Sequence, residues 1–297
     1  MTYDIGWDLY RSFLGVLREG SLSGAARRLG VAQPTIGRHI AALEEALGVA
    51  LFTRSQSGLL PTDAASRLVH YAESMEAAAA ALERVASSQG PGMRGTVRVT
   101  ASDVIGVEVL PAIIAGLREQ HPDLRVELAL TNKIQDLLRR EADIAVRMTR
   151  PRQVSLVARR VGTIELGLHA TRRYLERQGT PRQTGDLARH ALIGFDEGTA
   201  FVREAAKSFP DFQRDAFAIS TDSDLAQLAL IRAGAGIGIC QVGLAKRDAA
   251  LVRLFPDQFS LKMEIWVSMH EDLRNSPCCR ITFDALAEGL RFHTDPP

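Results

Sequence analysis

The stretch "QPTIGRHI" gathers the side chains with the most evident chemistry in this chain. Gln33, Thr35 and Arg38 set an amide, a hydroxyl and a guanidinium within two helical turns. An amide can pair bidentately with adenine, and a guanidinium with guanine or a phosphate. A threonine can reach a phosphate or a thymine methyl. His39 is a further candidate for a phosphate. Pro34 fits the first turn of a helix, where its missing N–H has no helical partner. Gly37 removes a side chain at a cost of about 1 kcal/mol in helix stability relative to Ala, and leaves the backbone free to approach DNA. A helix start of this kind suits entry into a DNA major groove. Downstream, Arg54, Ser55 and Ser57 lie where a turn could sit over the minor groove or its phosphates.

A second polar set falls at the carboxyl ends of expected strands: Ser102 and Asp103, Thr131 and Asn132, Arg147 and Thr149, Thr199, and Thr221 to Ser223. Open α/β sheets bind ligands at such ends, and caps or turns are the competing role. Ser102 and Thr149 head this set. Arg147 suits a carboxylate ligand, whereas Asp103 and Asp222 argue against a strongly anionic one.

Catalytic signatures are missing. The chain holds no G-x-S-x-G, H-E-x-x-H or P-loop. Its seven His are scattered, and His169 and His270 read as satisfied polar residues. "GAGIG" at Gly234–Gly238 lacks the dinucleotide spacing and follows a helix, so it reads as a turn into a strand. Three Cys with no CxxC suggest neither a disulfide framework nor zinc. Neither an enzyme nor a bound cofactor or metal is expected.

These groups need elements to hold them. Trp7, Tyr10, Phe13, Leu14 and Leu17 form the apolar face of a first helix ended by Gly20. Ser23 is expected to cap a second helix carrying Ala25, Ala26 and Leu29 inward, and Gly30 supplies the tight turn. A third helix is expected over Gln33–Leu47 with Ile36, Ile40, Leu43 and Leu47 inward, and Val31 beside Ile36 in the same core. Gly48 stops it. Together these make a helix-turn-helix. "TRSQSGLLPTD" reads as a two-stranded wing. Asp63 is expected to cap a long helix from Ala64 to about Ser87. Its heptad stripe is Leu68, Met75 and Leu82, with Tyr71/Ala72, Ala78/Ala79 and Val85/Ala86 between, and it is expected to pair with a second copy. "SQGPGMRG" follows as a hinge.

Beyond the hinge the rhythm is strand–helix–strand: "TVRVTA", a helix over Val107–Leu117, "LRVELAL", a helix through Leu137 and Leu138, and "ADIAVRM". It continues in "TIELGLHA", "ALIGF", "DLAQLALIRAG", "IGIC" and "EIWVSM", and closes on a helix from about Pro277 to Leu290. At 297 residues the chain exceeds one ordinary core. Its net charge of +1 signals no global nucleic-acid or membrane affinity, although a basic patch can still be local. The N-terminus does not read as a signal peptide, and no apolar run approaches a membrane span, so a cytoplasmic protein is expected.

The block "FLGVLREGSLSGAARRLGVAQPTIGRHIAALEEALGVALFTRSQSGLLPTDAA" resembles the DNA-binding region of the LysR-type transcriptional regulators. The features it shares are AA-x-x-L, Q-P before the recognition helix, R-x-I-x-x-L-E-x-x-L-G and L-F-x-R. "ADIAVRM", "AGAGIGI" and "HEDLRNSP" extend the likeness through the chain. The resemblance implies an α/β protein with an N-terminal winged helix-turn-helix (1–62), a linker and dimerisation helix (63–90) and a C-terminal two-lobed Rossmann-like effector domain (91–297). Lobe I would hold about 91–161 and 268–297, and lobe II about 162–267. It places DNA contacts at Gln33, Pro34, Thr35, Gly37, Arg38 and Arg54, and a small-molecule effector between the lobes. It implies a double-stranded DNA operator, a dimer of dimers, and RNA polymerase as a further partner. The chain departs from the family pattern at Ala32, where a capping Ser is common, at Gly37, and at Pro61.

Overall fold

The computed structural model describes residues 5–55, 58–87, 94–132, 141–151, 153, 155–196 and 214–294. The chain forms two compact units, one built on Met1–Ala86 and one on Ser87–Leu137 and Ala142–Pro297.

The first unit opens with α1 (Trp7–Glu19), α2 (Leu22–Leu29) and α3 (Gln33–Leu47). Phe13, Leu14, Ala25, Ile36, Ile40 and Leu43 close one small core between them, as their helical spacing requires. Ser21, not Ser23, caps α2: its Oγ accepts from Gly24 N–H at 3.1 Å, and Ser23 lies exposed inside the helix. Gly30, at φ 68°, makes the left-handed turn that releases the chain toward α3. Val31 is 42% exposed, so it stands outside the core expected to hold it. β1 (Phe52–Ser55) and β2 (Gly58–Pro61) pair antiparallel as the wing.

α4 spans Asp63–Ser87. Thr62 rather than Asp63 caps it, accepting from Ala65 N–H at 3.2 Å. Its apolar stripe divides. Leu68 and Ala72 pack on the core of the first unit, whereas Tyr71 (64% exposed), Met75 and Leu82 (72% exposed) face outward. The side chains of Val85 and Ala86, and most of the expected hinge, lie outside the described residues.

The second unit runs through β3 (Gly95–Ala101), α5 (Asp103–Glu108), α6 (Leu110–Gln120), β4 (Leu124–Leu130), β5 (Ile144–Arg147), β6 (Leu156–Thr171), α7 (Arg172–Gln178), β7 (Leu192–Phe195) and β8 (Phe217–Thr221). It continues with α8 (Asp224–Arg232), β9 (Ile237–Gln241), α9 (Val242–Ala245), β10 (Leu251–Leu254), β11 (Leu261–His270) and α10 (Pro277–Thr294). The helix expected over Val107–Leu117 breaks at Val109, two residues before Pro111, since a proline lacks the N–H of an interior helical bond and fits only a first turn. The helix expected through Leu137 and Leu138 lies outside the described residues.

Among the described residues nine strands form one sheet, ordered β4-β3-β5-β11-β6-β9-β7-β8, with β10 added on β6. Two parallel groups, β4-β3-β5 and β9-β7-β8, flank the antiparallel pair β6 and β11. The βαβ expectation holds for the flanks. The two central strands cross from one half of the unit to the other, and their register slips between Ile265 and Trp266. This architecture sets the carboxyl ends of β3, β4 and β5 near the start of α8.

Candidate functional site

At the first candidate surface, α3 starts at Gln33 with Ala32 at its cap position, and no side chain caps it. Pro34 falls in the first turn. Thr35 and Ile36 N–H both bond Ala32 O, at 3.0 and 3.4 Å, so the proline interrupts no helical bond. Ile36 and Ile40 fix the helix from behind. Gln33, Pro34 and Arg38 are exposed, and Thr35 and Gly37 are half-buried. A methyl group on Gly37 would meet only Leu22 Cδ1, at 3.8 Å. The fold itself therefore does not demand glycine there. His39, the further candidate for a phosphate, is bonded through Nδ1 to Ser12 Oγ at 2.8 Å.

The wing is anchored by a residue whose role was not apparent from sequence. Glu44 Oε1 accepts from Leu51 N–H at 2.6 Å and from Phe52 N–H at 3.2 Å. Thr62 Oγ1 donates to Ala50 O at 2.9 Å. Arg54 is exposed within β1, one residue before the turn expected to carry it. Ser55 Oγ donates to Gly58 O at 3.0 Å; Ser57 lies outside the described residues.

In the second unit, four of the expected residues converge. Asn132 Nδ2 donates to Asp103 Oδ2 at 3.1 Å and to Asp224 Oδ2 at 2.9 Å. Asn132 Oδ1 accepts from Asp103 N–H at 3.2 Å. Burial, with the Asp103 carboxylate beside it, pushes the Asp224 carboxyl above the usual aspartate range. Arg147 Nη2 donates to Thr100 Oγ1 at 2.8 Å. Burial brings its guanidinium down to about 10, opposed by Asp103. Ser102 is 6% exposed, and its Oγ has no hydrogen-bond partner among the described residues.

The other expected residues take different places. Thr131, at the end of β4, bonds Ala101 O through its N–H at 3.0 Å. Thr149 is exposed two residues beyond β5. Thr221 Oγ1 accepts from Ser223 N–H at 3.2 Å, and Ser223 Oγ accepts from Ala226 N–H at 3.3 Å. Those two hydroxyls serve a turn and a helix cap. Asp222 is exposed, and the acid that reaches the cluster is Asp224. Thr199 lies outside the described residues. "GAGIG" is the turn between α8 and β9.

The halves also meet through an ion pair. Arg232, at the end of α8, grips Glu108, at the end of α5, with Nη1–Oε1 at 2.5 Å and Nη2–Oε2 at 2.9 Å. The pairing holds the Glu108 carboxyl below the usual glutamate range. Among the described residues no three His, Cys, Asp or Glu side chains gather for a metal, and no helix is long and apolar enough to cross a membrane.

The family model described as "Bacterial regulatory helix-turn-helix protein, lysR family" matches residues 7–66, and the "LysR substrate binding domain" model matches residues 90–291. The chain belongs to the LysR family of DNA-binding transcriptional regulators. This LysR-type chain is 30% identical to the HTH-type transcriptional regulator CrgA of Neisseria meningitidis serogroup B, over 82% of each chain. It is 31% identical to an HTH-type transcriptional regulator of Xanthomonas campestris pv. campestris, over 65% of this chain and 56% of that relative, a little over half its length. Among solved structures, full-length CbnR complexed with its target DNA superposes with a TM-score of 0.68 at 21% identity, covering 96% of this chain and 99% of that one. CrgA superposes at 0.57 and 23% identity, covering 97% and 98%. The family is one of regulators, not enzymes.

Proposed function

We propose that this regulator reads a dyad operator in double-stranded DNA through Gln33, Pro34, Thr35, Gly37 and Arg38 of α3, with Arg54 of the wing on the adjoining backbone. The observation that carries this reading is the division of α3. Ile36 and Ile40 are buried, while Pro34 and Arg38 stand clear on the opposite side and Gln33 is exposed at the helix start. Gly37 is required by no neighbour, which supports a close backbone approach to DNA. CbnR, alike in fold, has been crystallised with its target DNA.

Residues 1–62 act as the reading head, 63–90 as the pairing helix and 91–297 as the effector-responsive part. On α4 the seam for a second copy is Tyr71, Met75, Ala78 and Leu82. It has the alternating four- and three-residue spacing of a heptad, and Tyr71, Met75 and Leu82 face outward. Two such dimers make the tetramer that the family resemblance implies. The protein works in the cytoplasm, where its operator lies. Bound beside a promoter it meets RNA polymerase, which we take as its third partner. A small molecule at Ser102, Asp103, Asn132 and Arg147 shifts the two halves of the second unit, and it does so only by binding the two states with different affinity.

A gel-shift with the DNA upstream of the chain's own gene tests the reading. A specific complex that weakens steeply with salt is expected; no shift at moderate salt sinks it. For the seam, Met75→Asp is expected to turn the dimer into a monomer in sedimentation, and an intact dimer would refute that assignment.

A further inference from the structure

The cluster at the ends of β3, β4 and β5 has a charge pattern that a simple carboxylate ligand does not match. Two carboxylates, Asp103 and Asp224, are drawn onto one amide, that of Asn132, from opposite halves of the unit. Among the described residues the cation that acts on Asp103 is Arg147, close enough for Asp103 to offset part of its loss of basicity. Arg147 is itself bonded to Thr100 and to Val146 O. Among the described residues, one guanidinium against two carboxylates leaves the cluster one positive charge short. Burial weighs on the Asp224 carboxylate, and a desolvated carboxylate favours a partner of opposite charge.

Beside this acid pair stand two buried polar groups without partners among the described residues. Ser102 Oγ is one. Gln227 Nε2 is the other, on a residue only 4% exposed. The register of β3 and β5 pairs Thr100 with Ala145 and Ala101 with Val146. One step further, Ser102 comes level with Arg147 and on its face of the sheet. Gln227 lies one turn beyond Asp224 on α8, so the two share a face of that helix. Ser102 precedes Asp103, and Gln227 follows Asp224 by one turn, so each acid has a buried hydrogen-bond donor on its own segment. Buried polar groups are almost always satisfied, and those that are not call for an occupant or a role.

We infer that the effector is a zwitterion, an amino acid in the broad sense, whose ammonium group is held between Asp103 and Asp224 while its carboxylate accepts from Ser102, Gln227 and Arg147. This rests on the proposed effector site and names the class of ligand that site takes. The ammonium supplies the missing positive charge, and the carboxylate uses the two unpartnered donors. A ligand lacking its ammonium leaves the acid pair uncompensated. One lacking its carboxylate leaves Ser102 and Gln227 unpaired.

The test uses the full chain in thermal-shift and calorimetric titrations against three matched panels. These are amino acids, including D- and ω-amino forms, the corresponding 2-oxo or deaminated acids, and the corresponding decarboxylated amines. An amino acid is expected to raise the melting temperature by mass action. Its two stripped counterparts are expected to bind at least about tenfold more weakly. Asp224→Asn should weaken the amino acid by at least about tenfold while changing the deaminated acid little; Ser102→Ala should weaken both. Circular dichroism melts of the free variants establish that each is folded. Equal binding of a deaminated acid, or an amino acid that binds Asp224→Asn unchanged, overturns the zwitterion assignment and leaves the effector site standing. The same holds if no amino acid binds but a fractionated cell extract shifts the melt. If neither amino acids nor extract shift it, both the assignment and the effector site fall.

Discussion

The two units handle polar chemistry in opposite ways. In the first, the groups proposed to meet DNA lie on a helix whose back is sealed by Ile36 and Ile40, so the surface exists before its partner arrives. In the second, polar side chains are tied to one another across the two halves, Asn132 to Asp224 and Arg232 to Glu108. A preformed reading head offers specificity with little rearrangement. A polar cluster that spans two halves is suited to switching, because whatever enters it must change the bonds that hold the halves.

The largest effect that can break this comparison lies behind the reading helix. Ile36→Ala should destabilise the first unit by about 2–5 kcal/mol, seen in urea unfolding, with the melt of the second unit unmoved; a loss under about 1 kcal/mol would mean that the helix is not held from behind. Next comes Arg38→Ala, expected to weaken operator binding by about 1–3 kcal/mol in anisotropy titrations with little change in stability. Unchanged affinity for operator and random DNA alike would remove Arg38 from the interface.

A smaller effect separates the units by pH. Burial brings His169 and His293 of the second unit down to about 4. Both are neutral when folded, whereas the unfolded chain takes up their protons near 6.5. Their contribution is complete above about that pH and is lost as pH falls toward 4. Each should remove on the order of 1 kcal/mol between pH 7 and 5.5, and His293→Gln should flatten part of that slope in thermal melts. An unchanged slope would mean that His293 is not buried neutral. The smallest effect is at Gly37. Gly37→Ala should stabilise α3 by up to about 1 kcal/mol and yet weaken operator binding. A variant both more stable and equally tight on DNA would end the close-approach argument.

These contrasts also explain what the sequence made legible. The reading head is a run of contiguous short elements, so Gln33, Arg38 and the helix ends could be read from local spacing, with small misplacements such as Ser21 for Ser23 and Thr62 for Asp63 as caps. Neighbouring Ser, Thr and Asp side chains compete for one cap, and only backbone geometry chooses between them. The polar cluster of the second unit is assembled from segments far apart in the chain. Ser102, Asp103, Asn132 and Arg147 were visible because each follows a strand. Asp224 was hidden because an acid in the first turn of a helix already has a role toward the helix dipole, and Thr221 and Ser223 were absorbed by local turns. The partners of Glu108 and Gln227 depend on how the two halves close, which no local pattern records.

The claim on which the account rests is that α3 reads DNA. A footprint on the upstream DNA, with wild type and Arg38→Ala side by side, tests it most directly. Protection of two patches one or more helical turns apart is predicted, lost in the variant at equal concentration. Absent protection, or a footprint identical in the two proteins, would contradict it.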